Sequence, residues 1–225
     1  MLVNNKKIAE FGGKLLSYSL GGSAVTNDYL RGPGCLAPVL LHSDVGLRPL
    51  TVTITFEGED REDTIAKISA FAREVQTKSE LWLPDGFTYT CILTSISEVT
   101  EILPNYQEVS YSFDAVQHKE LVTHSFASGT SHTVFCQGNL PTECILSVTP
   151  ATSLSQLMVF GIKISSLTAG KTFVINGIAR TVTQDGINKF AQTNLVEFPK
   201  LQPGNNLISL SQSVPLTVSY YPTFI

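Results

Sequence analysis

The chain has 225 residues, 43% hydrophobic and 15% charged, with a net charge of −4. That length holds one large or two small domains, each able to bury a core. No basic face is evident, which excludes a specific nucleic-acid ligand, and no run approaches the ~20 apolar residues of a membrane span.

Charge is unevenly placed. Residues 1–120 carry ten Lys or Arg against sixteen Asp or Glu, while residues 121–225 carry five against three. A compositional boundary near Glu120 follows, and the chain reads as two domains, 1–120 and 121–225. The opening Met1-Leu2-Val3-Asn4-Asn5-Lys6-Lys7 has no apolar run behind its lysines, so no signal peptide is expected. Cytoplasmic synthesis is then expected, and Cys35, Cys91, Cys136 and Cys144 read as free thiols.

In chain order, Lys6 to Phe11 and Leu15 to Leu20 read as short strands closed by Gly-Gly pairs. From Gly21 to Pro49 the sequence is dense in Gly and Pro yet rich in apolar residues, among them Tyr29, Leu30, Leu36, Val39, Leu40 and Leu41. A long irregular apolar stretch is uncommon inside a domain. It reads either as a meandering surface loop or as an arm that packs on a neighbouring subunit. Leu50 to Phe56 alternates apolar with Thr, which predicts a half-buried strand with Leu50, Val52, Ile54 and Phe56 inward. Asp60 is an N-cap, Glu62 and Asp63 suit a helix start, and Ile65, Ile68, Phe71, Ala72 and Val75 recur at helical spacing. One amphipathic helix over 60–78 is predicted. Leu81-Trp82-Leu83 precedes the turn Pro84-Asp85-Gly86. Strands follow over 87–97 and 106–117, the second with Val109, Tyr111, Phe113 and Ala115 on one face. Residues 1–120 therefore read as α+β, an antiparallel sheet with one helix.

Beyond the crossover at 121–126 come short strands at 133–136, 144–148 and 157–164, separated by Gly, Pro and Asn turns. Lys171 to Ile175 and Ile178 to Thr183 flank Asn176-Gly177, which predicts a hairpin with a tight type I′ turn. Asp185-Gly186 is a further turn. Phe198-Pro199-Lys200-Leu201-Gln202-Pro203-Gly204-Asn205-Asn206 is a rigid corner, since its prolines fix φ and remove donors. Strands at 207–210 and 216–220 close the chain. Short strands at this spacing indicate an all-β sandwich.

The order of hairpin, Asp-Gly turn, Phe-Pro-x-Leu-x-Pro-Gly-x-Asn corner and Tyr-ended strand resembles the galectin-like C-terminal domain of the distal tail (Dit) proteins of long-tailed phages and prophages. A strand, an acidic turn, one helix, then Leu81-Trp82-Leu83-Pro84-Asp85-Gly86-Phe87 is similar to that family's N-terminal ring domain. The resemblance covers the chain except Gly21 to Pro49. It implies an α+β ring domain followed by a galectin-like β-sandwich. It further implies a homo-hexameric ring at the end of the tail tube, docked on the tube protein and on a tail-tip hub (tail-associated lysin-like) protein. A receptor-binding protein would be a further partner, and the virion tail tip the location after assembly in the host cytoplasm. An acidic N-terminal domain suits a channel wall to which DNA does not adhere.

No chemistry constellates. His42, Ser43 and Asp44 have no nucleophile elbow around them. His132, Cys136 and Cys144 lack the fourth ligand of structural zinc, and the two cysteines sit in apolar strand contexts as small hydrophobes. The acidic run from Glu57 to Asp63 matches no calcium loop and reads as a helix start. Neither an enzyme nor a cofactor is expected. The alternative from another class is a carbohydrate-binding module, with Trp82, Tyr89, Tyr106, Tyr220 and Tyr221 as stacking faces. Against it, the only Trp lies outside the sandwich. Leu81, Trp82 and Leu83 are consecutive and cannot all point into one small core. With the apolar arm, this predicts self-association through Tyr29, Leu30, Trp82 and Leu83.

Overall fold

The computed structural model describes residues 1–34 and 36–225. The chain divides into two compact units, Met1–His118 with Ile225, and Lys119–Phe224.

The first unit runs β1 (Leu2–Val3), β2 (Lys6–Lys7), a 3-10 turn (Ile8–Phe11), β3 (Gly13–Leu20), β4 (Val25–Leu30), β5 (Val39–Val45) and β6 (Arg48–Glu57). Then come α1 (Arg61–Val75), β7 (Ser79–Trp82), β8 (Thr88–Ile96), β9 (Thr100–Leu103) and β10 (Tyr106–His118). The main sheet has the order β2-β1-β7-β8-β10-β6-β3, antiparallel throughout, with β9 taking the place beside the start of β10. The alternation in β6 and β10 sends Leu50, Val52, Ile54, Phe56, Val109, Tyr111, Phe113 and Ala115 into the core. There they meet Phe71 and Val75 of α1. Phe71 is the hub of the packing, with its ring 4.9 Å from Tyr111 and 5.7 Å from both Phe11 and Phe56. Offset and edge-on aromatic pairs of this kind add ~1 kcal/mol each beyond their burial.

The helix starts at Asp60, whose carboxylate accepts from the Asp63 amide at 2.9 Å. It ends at Val75 rather than Lys78, because Ser79 already opens β7. Lys6 to Phe11 is not a strand beyond Lys7. The Glu10 carboxylate accepts from the Lys7 amide, and Gly12 closes the turn at φ 67°, so the chain folds into a 3-10 turn. Within Gly21 to Pro49, two segments pair as the hairpin β4–β5, from Val25–Val45 to Leu30–Val39, in place of an irregular course there.

The second unit is all-β: β11 (Val122–Phe126), β12 (Ser131–Cys136), β13 (Thr142–Val148), β14 (Leu154–Val159), β15 (Ile162–Leu167), β16 (Phe173–Asn176), β17 (Thr181–Gln184), β18 (Ile187–Asn188), β19 (Lys200–Leu201), β20 (Gly204–Ser209) and β21 (Leu216–Tyr220). One sheet has the order β11-β21-β13-β16-β17-β18, with β19 on β13. The ribbons β12–β20 and β14–β15 are joined by a bridge between Val159 and Leu210. They cover the sheet around a shared core that includes Val134, Leu146, Leu157, Phe173, Ile208 and Val218. This is a β-sandwich.

Two turns differ from expectation. The predicted strand over 157–164 is the hairpin β14–β15, reversed at Phe160 and Gly161, both with positive φ. Asn176-Gly177 is not a two-residue type I′ turn. Asn176 pairs with Thr181, and its side chain accepts from the Ala179 amide at 2.9 Å, making a longer loop. Two-residue turns with both central φ positive, as type I′ requires, occur instead at Phe160-Gly161 and at Asp185-Gly186, the latter with φ 53° and 80° between β17 and β18. The corner at 198–206 is organised by Asn206, which accepts from the Gln202 amide at 2.8 Å and donates to the carbonyls of Gln202 and Gly204.

Candidate assembly surface

The residues that suggested chemistry are held in structural roles. His42, Ser43 and Asp44 are consecutive on β5, so their side chains alternate between faces of the hairpin and do not converge. Asp60 and Asp63 serve the helix start, and Asp63 also accepts from Glu59 N at 2.9 Å and Lys67 Nζ at 2.8 Å. The Lys67 hydrogen bond, ahead of the Glu59 amide, holds the Asp63 carboxyl below its usual value. His132 stacks on Phe126 at 4.2 Å. Cys136 and Cys144 are buried in the sandwich core, and Cys91 in the first unit. Burial pushes the thiols of Cys91 and Cys144 up to about 12. Cys35 lies outside the described residues. Among the described residues no three His, Cys, Asp or Glu side chains group as a metal site would require. None of their helices is long and apolar enough to cross a membrane.

The aromatic residues separate in the same way. Tyr89 and Tyr220 are core residues whose hydroxyls donate to Asp85 at 2.6 Å and to the Phe135 carbonyl at 2.8 Å. Leu83 is also fully buried, as is Leu81, whereas Trp82 between them is 44% exposed. Strand alternation thus divides the three. Leu83 is a core residue and is corrected from the surface set; Trp82 remains on it.

The arm is the most exposed apolar element of the first unit. Tyr29, Leu30, Val39, Leu40 and Leu41 are each 59–63% exposed, and Leu36 is 96% exposed. Tyr29 opposes Leu40 and Leu30 opposes Val39, with Leu41 the extra residue of a bulge. Neighbouring pairs point to opposite faces, so both faces of the blade are apolar near its tip. An isolated two-stranded ribbon cannot bury such residues within itself. Its root, by contrast, is fastened. The Gly21 amide donates to the Pro49 carbonyl at 2.8 Å, and Arg48 Nε donates to the Gly21 carbonyl at 3.0 Å. Arg48 also donates to the Gln117 side chain.

A second apolar surface escaped sequence reasoning. Ile96, Val99, Ile102 and Leu103, around β9, are all at least 43% exposed. The Arg61–Glu101 ion pair at 3.0 Å ties β9 to the first turn of α1, and Ile65, one turn further along, is also exposed. The signal is the apolar pair Ile102-Leu103 immediately before Pro104, between the predicted strands 87–97 and 106–117.

Residues 137–224 match the family model of the siphovirus-type tail component, C-terminal domain. No curated protein matches the sequence. Among solved structures, the Dit protein (gp 19.1) of phage SPP1, described as a paradigm of the hub adsorption apparatus in phages infecting Gram-positive bacteria, superposes with a TM-score of 0.76. The identity is 14%, over 100% of this chain and 98% of that one. Two structures of the phage p2 baseplate in its activated conformation, with Ca and with Sr, match at TM-scores of 0.55 and 0.54. Their identities are 10% and 11%, each over 94% of this chain and 91% of theirs. Residues 137–224 thus carry the sequence pattern of the siphovirus-type tail component C-terminal domain, and the whole chain shares its fold with the Dit protein of phage SPP1.

Proposed function

We propose that this protein is the distal tail hub of a siphophage-type tail. Six copies of the first unit close into a ring that joins the tail tube to the tip, and the sandwich of residues 119–224 serves the adsorption parts. The observation that supports this most is the end-to-end match to SPP1 Dit, both units in the same order within one chain. The role is one of geometry and interfaces rather than catalysis. Its partners are further copies of itself, the tail tube protein, a tail-tip hub protein and a receptor-binding protein, all within the virion.

Self-association is carried by the first unit, with Tyr29 and Leu30 of the arm and Trp82 of β7 contributing. Exposed apolar surface of this extent marks an interface, and a head-to-tail contact whose rotation closes makes a ring. The excess of acid in residues 1–120 keeps a ring of this kind from holding DNA. Electron microscopy of assembled tail tips tests the reading. Six symmetry-related copies at the end of the tube are expected. A tip that holds the protein without sixfold-related copies would overturn it.

A further inference from the structure

Strand pairing between β3 and β6 stops at Leu20–Leu50 and resumes between β4 and β5 at Val25–Val45. The arm is therefore joined to the sheet through a short neck, and the two strands of that neck are built differently. One runs through Gly46-Leu47 into Arg48-Pro49. Pro49 has a fixed φ and confines Arg48 to extended backbone, so this side is stiff. The other side runs through Gly21-Gly22, and two successive glycines make a loose joint. We infer that Arg48 is a positioning residue that clamps this glycine joint, so that the arm is set in direction before it meets any partner.

The clamp acts on one peptide plane. The Gly21 amide donates to the Pro49 carbonyl at 2.8 Å, and the Gly21 carbonyl accepts from Arg48 Nε at 3.0 Å. That carbonyl belongs to the peptide linking Gly21 to Gly22. With the amide already held, fixing the carbonyl fixes ψ of Gly21, the torsion about which the strand would swing. A stiffer residue cannot do this in place of Gly21, because a Cβ there would stand 2.5 Å from Cγ of Pro49. Gly22 is restrained by no packing, since nothing lies within 4 Å of the position its Cβ would take. The close approach that demands glycine at 21 thus creates the need for a clamp from elsewhere.

Arg48 suits that task. Its planar fork aims Nε and a terminal nitrogen at two acceptors at once, which the point charge of a lysine does not. The second acceptor is the Gln117 side-chain oxygen. Gln117 is 8% exposed and pairs across β8 with Tyr89, so the far end of the clamp is anchored in the sheet. Arg48 forms no ion pair among the described residues. Both its acceptors are neutral, and a charged donor makes each bond about twice as strong as a neutral one. An arm left free to sweep would lose that freedom on docking, and an arm set in advance does not. This consequence rests on the reading of the arm as a self-association element; the clamp itself does not.

The experiment separates the two. In a full-length Cys35→Ser chain the remaining cysteines are buried. Nitroxide labels are placed at Leu40→Cys on the arm and Ile92→Cys on β8, both exposed positions. Pulsed electron resonance on the free protein then reads the spread of arm directions. The parent is expected to give a narrow distance distribution, and Arg48→Met and Arg48→Lys a broad one. Exchange of the Gly21 amide should rise roughly tenfold or more in both variants while core amides keep their rates. Gln117→Glu retains an acceptor and gives it charge, so its distribution should stay narrow. Gly22→Ala, at an unobstructed position, should narrow the distribution again when added to Arg48→Met, because it restricts the joint. A broad distribution in the parent, or a narrow one in Arg48→Met, overturns the clamp. If Arg48→Met does not fold, Gln117→Met decides: intermediate broadening is expected, and an unchanged distribution overturns the clamp. In assembled tail tips, Arg48→Met should lower ring yield several-fold. A broad arm with undiminished ring yield overturns the role in assembly, whereas parent tips without a ring sink the hub reading and leave the clamp standing.

Discussion

A Cβ on Gly177 would meet the Cys144 carbonyl oxygen at 2.8 Å and that of Pro199 at 3.3 Å. The Gly177 amide donates to the same Cys144 oxygen at 3.0 Å, so the loop and β13 are drawn together there. At Gly186 the space is open, but φ is 80°. The two positions require glycine for different reasons, close approach in one case and backbone conformation in the other. Gly177→Ala is expected to destabilise by ~1–3 kcal/mol through displaced backbone, and Gly186→Ala by ~1 kcal/mol through left-handed strain. Urea unfolding of both variants checks the ranking, and a larger loss at Gly186 would contradict it. The thiols make a second test at this scale. With Cys91 and Cys144 raised to about 12 by burial, their thiolate fraction at pH 8 is on the order of 10⁻⁴. In the Cys35→Ser chain, no thiol should react with a disulfide reagent at pH 8 until denaturant is added, when three should react. Rapid reaction of the native chain would show that the core opens readily.

Elements are joined by a few specific polar contacts as well as by the core. Glu74, near the end of α1, accepts from Lys6 Nζ at 2.8 Å and from Asn4 Nδ2 at 3.0 Å, tying the helix to the first two strands. The Lys6 contact first, and then Asn4, holds the Glu74 carboxyl below its ordinary value of 4.5. A carboxylate with a depressed folded value stabilises the fold fully above the unfolded value and loses that contribution as pH falls through the folded one. Glu74→Gln should therefore be the less stable protein at pH 7, and the gap should close as pH is lowered from 4.5 through the acid range. Thermal melts of both proteins across that range measure it. A gap that persisted in acid would mean that the contact works through packing rather than charge.

At the scale of the molecule, the buried residues form two separate clusters. One draws only on residues 3–115 and the other only on residues 134–220. Each unit therefore has what independent folding requires. Residues 119–224 expressed alone should unfold cooperatively and show a circular dichroism spectrum without an α-helical signal, since α1 lies in the other unit and the second holds only a 3-10 turn at Phe190–Gln192. Appreciable helix, or the absence of a cooperative transition, would contradict the division.

Periodicity in the amino-acid sequence by itself determined the strands β6, β10 and β21 and the helix α1. Their apolar residues recur at the spacing of one buried face, apart from Ile65 of α1, which shares the helical spacing but is exposed, and Asp60 marks the helix start, signals that are local to each element. It also carried the family resemblance, because that rests on the order of turns and corners along the chain. The tertiary structure alone decided which glycine turn is tight, since the approach of Cys144 to Gly177 is a contact between strands distant in sequence. It decided that Leu83 is core and Trp82 surface, because alternation names two faces without saying which is covered. It also decided that 25–30 and 39–45 pair as a hairpin and that the apolar residues of β9 stay exposed. Both owe their form to pairing, and their exposure to what does not cover them; neither quantity has a period that a linear pattern can display.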